Sequence, residues 1–268
     1  MNAAIKLSSP ATAEFWEIPI LYEDDQLIAL NKPSGLLISA DRNAPARPNL
    51  MMLLHRDIQR GAMWARERGL TYLMHAHRLD SEASGVILLA KNKPALIALA
   101  SQFGSEKPAR IFAALVRGSA EQPNFAADAP LAPHPMRAGF VRVDPNAGKR
   151  SCTEFSVREA FSGYLLLECR PLTLRTHQIR VHLRHLRLPV VGDEIYGGSA
   201  LWLSTLKSNY RLKAGQTEKP LISRPALHAE RLTVRHPGTD KSITIDAPWQ
   251  KDLIVAVKYL RRYSGRAV

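Results

Sequence analysis

Val86-Ile87-Leu88-Leu89-Ala90 is a short apolar run with no polar break, closed by Lys91. An unbroken run of five lacks the alternation of a half-exposed strand and suits a strand covered on both faces. Such a strand needs a layer on each side of its sheet, so helices are expected to flank it. Residues 18–22 and 26–31 read as two more strands around Glu23-Asp24-Asp25. Residues 42–48 form a Pro and Arg loop. It leads into a helix capped by Asn49, with Leu50, Leu53, Leu54 and Ile58 at helical spacing. A second helix starts with Pro94 in its first turn and ends near Gly104, and residues 111–116 follow as a strand. Residues 122–148, rich in Pro, Ala and His, are expected as an irregular crossover with short strands. Residues 151–157 and 164–169 read as paired strands around Ser162-Gly163. Residues 201–219 form an insertion whose structure the pattern does not define. Strands at 227–234 and 243–245 then lead to a final helix, 250–262.

Strands outnumber helices, and short turns join most of them. The fold class is therefore α+β, with a mixed, largely antiparallel central sheet. Residues 1–15 are small and polar and are expected as a loose tail; residues 16–268 are expected as one domain.

Ser84-Gly85 supplies the turn into the buried strand. Asp80 then lies on a loop held by a rigid element, where catalytic groups are commonly found. Arg78 stands two residues before it. Alone, an aspartate beside an arginine in a loop is more often a surface pair or a turn former. A second segment, Leu174 to Pro189, adds weight. At helical spacing Ile179, Leu183 and Leu186 fall on one stripe, and His177, Arg180, Arg184 and Arg187 on another. Thr176 can cap this helix and Pro189 can stop it. The plain reading is a solvated basic helix. The segment contains no acidic residue, however, and uncompensated arginines need an anionic partner from elsewhere: RNA phosphate or an active-site carboxylate.

The chain of 268 residues is 46% hydrophobic, enough for a sizeable core, and carries a formal net charge of +13 with pI ≈ 10.0. That excess points to a polyanionic partner, with nucleic acid leading. No segment approaches the apolar length needed to span a bilayer, and residues 1–15 have no signal-type apolar core, so a cytoplasmic protein is expected. Cys152 and Cys169 are expected as reduced core residues. His177, His182 and His185 spread over different helix faces without a zinc spacing, and no phosphate-binding glycine loop occurs. The chemistry is expected to need neither metal nor cofactor.

The two segments stand in order with Asn31-Lys32-Pro33-Ser34-Gly35-Leu36-Leu37 upstream. Gly192-Asp193-Glu194-Ile195-Tyr196-Gly197-Gly198 and Ala226-Leu227-His228-Ala229-Glu230-Arg231-Leu232 follow downstream. Together these motifs resemble the RluA family of pseudouridine synthases, from about residue 18 to about residue 248. The resemblance implies a central mixed sheet split into two halves with a cleft between them. It implies an enzyme that converts a specific uridine of structured RNA, transfer or ribosomal, to pseudouridine. The glycosidic bond to nitrogen breaks, the base turns, and it rejoins through carbon. The aspartate of the His-Arg-Leu-Asp motif maps onto Asp80 and acts at the anomeric carbon, as a nucleophile or by taking a proton toward a glycal. Arg180 matches the arginine that keeps this carboxylate ionised, since burial alone would raise its pKa. Arg78 matches the residue that props the space left by the flipped base. Leu227 matches an apolar pocket wall, and Arg175, His177, Arg184 and Arg187 are assigned to RNA contacts. The small N-terminal RNA-binding domain of many relatives is expected to be absent, and the enzyme is expected to be a monomer.

Two positions depart from the family pattern. Phe112 stands where a tyrosine is usual, and Leu174 where a glycine is usual. A phenylalanine keeps the stacking plane but offers no hydroxyl. A catalytically silent RNA-binding protein is the competing reading that Phe112 leaves open. A glycoside hydrolase would need a second carboxylate across a cleft, whereas Glu82 shares one short loop with Asp80.

Overall fold

The computed structural model describes residues 4–41, 44–105, 108–213 and 215–265. In chain order the elements begin with β1 (Ala4–Ser9), β2 (Glu14–Glu23), β3 (Leu27–Lys32), α1 (Leu50–Gln59), α2 (Met63–Arg66), β4 (Met74–His75), β5 (Ser84–Ala90) and α3 (Lys93–Gly104). They continue with β6 (Ala109–Arg117), β7 (Asn124–Asp128), β8 (Leu131–Pro133), β9 (Val141–Val143), β10 (Cys152–Phe161), β11 (Tyr164–Pro171) and α4 (Gln178–His185). A single 3-10 turn (Glu194–Tyr196), α5 (Leu203–Leu206), β12 (Leu227–Arg235), β13 (Ser242–Asp246) and α6 (Lys251–Tyr263) complete the described chain.

The chain clusters into two compact units, 1–110 with 229–248, and 111–228 with 249–268. In the first unit the strand order is β1-β2-β3-β5-β12, with β4 on β5 and β13 on β12. All seven residues of β5 are buried. Its Ile87 and Leu89 join Leu50, Leu53 and Leu54 of α1, while Val86 and Leu88 join Ala95 and Leu99 of α3. The unbroken apolar run is thus explained by a helix on each face. Asn49 caps α1 through Met52 N–H at 2.9 Å, and Asn92 caps α3 through Ala95 N–H at 2.8 Å.

The loose tail expected over residues 1–15 is corrected. Ala4–Ser9 is a strand antiparallel to β2, from Ala4 opposite Pro19 to Ser9 opposite Glu14. Ile5 and Leu7 alternate with Lys6 and Ser8, so one short face is apolar and buried. Ser84-Gly85, expected as a turn, already belongs to β5. Gly85 sits at φ +116°, and a Cβ there would lie 2.1 Å from the Ala229 carbonyl oxygen. Only glycine permits that approach between β5 and β12.

In the second unit the order is β6-β11-β10-β7, antiparallel throughout, and β8 and β9 form a separate antiparallel pair. The short strands within 122–148 and the paired strands around Ser162-Gly163 match the expectations from sequence. β12 starts in this unit at Leu227 and continues through the first. The undefined insertion contains α5, and its first residue, Leu201, makes an isolated bridge to Ile222 beyond it. Among the described residues no helix is long and apolar enough to cross a membrane.

Candidate active site

Asp80 lies half-buried on the loop from β4 to β5, with Arg78 exposed beside it. The loop is pinned at both ends. On the strand side, Ala76 N–H donates to Leu88 O at 2.9 Å, and Leu88 N–H donates to His77 Nε2 at 3.0 Å. On the other side stands Lys32, 0% exposed, whose Nζ donates to Pro33 O at 2.8 Å, Leu36 O at 2.9 Å and Ser81 O at 3.1 Å. Three carbonyls match the three donors of an ammonium, which makes its burial tolerable. Gly35 N–H also donates to Ser81 O at 2.8 Å, and Ser34 Oγ donates to Glu82 O. Ala83 N–H closes the turn on Asp80 O at 3.2 Å. Lys32, Ser34 and Gly35 of the Asn-Lys-Pro-Ser-Gly motif therefore clamp Ser81 and Glu82, the two residues after Asp80. Sequence reasoning quoted that motif without giving it a task; a lysine at the end of an apolar strand was the available signal.

His77 is itself held. Its ring stacks on Phe103 at 4.8 Å, and the Arg110 guanidinium lies 5.0 Å from the Phe103 centroid. Burial, with the Arg110 charge adding to it, pushes the imidazole down to about 3. The neutral ring is what lets Nε2 accept from Leu88.

The basic helix differs from its expected form. His177, in the left-handed region at φ 55°, is its N-cap residue without a side-chain cap bond. Thr176 does not cap it. Gln178 instead ties the preceding turn and β10 to the helix start: its Oε1 accepts from Thr173 Oγ1 at 2.9 Å and Arg175 N–H at 3.1 Å, and its Nε2 donates to Cys152 O at 3.0 Å and Thr153 Oγ1 at 2.9 Å. His182 Nε2 meets the Ala129 carbonyl at 3.0 Å, so that nitrogen carries the proton, and Nδ1 accepts from Thr153 Oγ1 at 2.9 Å. Burial lowers the His182 pKa, consistent with a neutral ring.

The predicted basic stripe is split by tertiary packing. Arg184 and Arg187 are exposed, but Arg180 is only 1% exposed. Its Nε and Nη2 donate to Asp193 Oδ2 and Oδ1 at 2.6 and 2.8 Å, a bidentate pair with both partners buried. The Arg180 guanidinium also lies 5.1 Å from the Tyr196 ring centroid. His177 Nδ1 shares a 2.8 Å hydrogen bond with the Tyr196 hydroxyl, on which Val141 N–H also donates at 3.1 Å. The Gly192 to Gly198 motif thus supplies the carboxylate that the basic segment lacks. Asp193 and Tyr196 were missed as site residues, although an acid following an acid-free arginine segment was the visible cue. Gly192 sits at φ +77°, and a Cβ there would lie 2.1 Å from Arg224 O, so this turn too depends on glycine.

The remaining candidates divide by burial. Arg175 is half-buried, with Nη1 donating to Leu174 O at 3.0 Å. Phe112 lies in β6 opposite Cys169 and is 7% exposed. Leu227, the first residue of β12, is buried.

A pH prediction follows from the two neutral histidines. Both have folded pKa values below the ordinary 6.5. Their contribution to stability is therefore complete above about 6.5 and is lost as pH falls toward the folded values, about 3 for His77. The free energy of unfolding in urea should decline steadily from pH 7 to pH 4, with His77 contributing up to about 1.4 kcal/mol per pH unit. His77→Gln should flatten that decline; an unchanged slope would show that His77 is not the group being titrated.

The fold is shared with known proteins. The sequence profile described as RNA pseudouridylate synthase matches residues 26–185, more than half of the chain. Ribosomal large subunit pseudouridine synthase D of Xanthomonas campestris pv. campestris is 35% identical over 274 residues, which is 100% of this chain and 77% of that protein. Ribosomal large subunit pseudouridine synthase C of Escherichia coli (strain K12) is 34% identical, over 90% of this chain and 70% of its own length. Human RNA Pseudouridylate Synthase Domain Containing 4 superposes with a TM-score of 0.67 at 20% identity, covering 90% of this chain and 92% of that one, a likeness of fold. The chain belongs to the RNA pseudouridylate synthase family, and the RluA-type resemblance of its motifs is thereby shown. It is an RNA isomerase.

Proposed function

We propose that this enzyme isomerises a uridine of large-subunit ribosomal RNA, with Asp80 acting at the anomeric carbon of the flipped nucleotide. The observation that supports Asp80 is the clamp around its loop: a half-buried carboxylate whose neighbouring backbone is held by Lys32, Gly35 and β5 is fixed before substrate arrives. Arg180 is the cation that the resemblance sets against this carboxylate, and Asp193 orients its guanidinium. Arg78 props the vacated stack, and Leu227 and Phe112 offer apolar surface to the base. Arg175, His177, Arg184 and Arg187 meet the RNA. Ribosomal RNA is favoured over transfer RNA by the names of the relatives. The isomerisation transfers no net electron and consumes no co-reactant, so the reading needs neither metal nor cofactor, and one cytoplasmic copy of the chain is sufficient.

Tritium release from large-subunit ribosomal RNA labelled at uridine carbon 5 tests this directly, because forming the new carbon bond expels that hydrogen. Release with ribosomal but not transfer RNA is expected. Release from transfer RNA alone would overturn the substrate, and release from neither would favour a silent RNA-binding protein.

Phe112 offers a second test. An aromatic plane can hold a uracil by stacking, worth roughly 1 to 3 kcal/mol per base, without supplying a proton. Phe112→Tyr should remain active, whereas Phe112→Leu should turn over about tenfold more slowly or worse in single-turnover assays while melting normally. Wild-type rates in the leucine variant would make Phe112 a core residue only.

A further inference from the structure

The positive charge of the chain is not confined to the arginines already discussed. The insertion at 201–219 carries Lys207, Arg211, Lys213 and Lys219 against a single acid, Glu218. In the same unit α6 buries Leu253, Ala256, Val257 and Leu260 and leaves Lys251, Lys258 and Arg262 exposed along one helical stripe.

The carboxylates of this region are already engaged. Asp252 holds Arg224 through both oxygens at 2.7 Å, Glu159 holds Arg261, and Glu218 Oε1 accepts from Ser204 N–H at 2.9 Å. Among the described residues, Lys207, Lys258 and Arg262 make no salt bridge. Two of these cations are nevertheless placed rather than free to wander. Tyr259 and Tyr263 stack at 5.9 Å with planes 9° apart. Lys207 Nζ lies 5.9 Å and the Arg262 guanidinium 5.3 Å from the Tyr263 centroid. A cation held against an aromatic ring loses less freedom on meeting a phosphate, and the excess positive field remains uncompensated.

We propose that the face formed by the start of the insertion and α6 is a second RNA-contact surface, on which Lys207, Lys258 and Arg262 bind phosphates of the substrate outside the residues that handle the target nucleotide. None of the three belongs to the Asp80 loop, to α4 or to the motifs that surround them. They therefore contribute affinity and orientation of a large folded RNA, and leave the chemical step alone. The choice of ribosomal RNA as probe rests on the function proposed above.

The test is a triple variant, Lys207→Ala with Lys258→Ala and Arg262→Ala, binding an unmodified transcript of large-subunit ribosomal RNA across a salt series. Each phosphate contact contributes about 0.7 to 0.9 to the slope of log affinity against log salt, so the slope should flatten by about 2 to 3, with at least about tenfold weaker binding at low salt. Single-turnover isomerisation at saturating RNA should be unchanged. The charge-keeping variant, Lys207→Arg with Lys258→Arg and Arg262→Lys, should restore the wild-type slope, which separates charge from any effect on folding. An unchanged slope in the alanine variant while wild type binds normally overturns the surface. So does a lost slope that the charge-keeping variant fails to restore. Wild type failing to bind the transcript overturns the ribosomal substrate itself, and the surface with it.

Discussion

Asp80→Asn eliminates isomerisation while RNA affinity stays within a few-fold of wild type. The amide keeps the shape of the carboxylate but can neither attack the anomeric carbon nor take its proton. If the aspartate acts by proton transfer the loss is at least about 10² to 10⁴-fold; if it acts as the nucleophile the loss is complete. The clamp makes this a clean experiment. Lys32, Gly35 and Ser34 hold the backbone of Ser81 and Glu82, and the substitution leaves those backbone anchors untouched. Single-turnover tritium release and filter binding on the same RNA give both quantities. Turnover by the purified variant within tenfold of wild type would remove Asp80 from the chemistry.

Arg180→Met costs both stability and activity, with about 3 to 5 kcal/mol of folding free energy lost, because Asp193 is left as a buried, unpaired carboxylate. The second variant of the pair is more informative. Arg180→Met combined with Asp193→Leu removes both charges from a site where each is 1% exposed, and most of the stability should return. Activity should not return, since the cation proposed to serve the reaction is still missing. Urea unfolding of the wild type, the two single variants and the double variant closes the cycle. Additive effects would mean that the two residues do not share one interaction, and an active double variant would reduce Arg180 to a structural role.

Several elements were legible because their signals are local. The apolar run at 86–90, the Asn49 cap, the helix begun by Pro94 and the strand pair around Ser162-Gly163 each depend on residues within a few positions of one another. The tail was misread for the opposite reason. Ile5 and Leu7 are too few to announce a strand, and β1 exists because β2 offers it a partner edge. Arg180 was legible as important but not as buried. Its helix is amphipathic by spacing, yet the first turn is enclosed on every side, which no helical wheel reports.

The sequence by itself determined the α+β class, the motif order and Asp80 as the residue most exposed to experiment, because these reside in local pattern and in fixed spacing along the chain. Only the tertiary structure decided which groups hold the machinery in place. Lys32 meets a carbonyl 49 positions away, Arg180 meets a carboxylate 13 positions on, and His182 joins Ala129 across 53. Each is a buried polar group whose cost of leaving water must be met by a partner at hydrogen-bonding distance. Which partner arrives there is set by how the strands and turns pack, and no spacing along the chain encodes it.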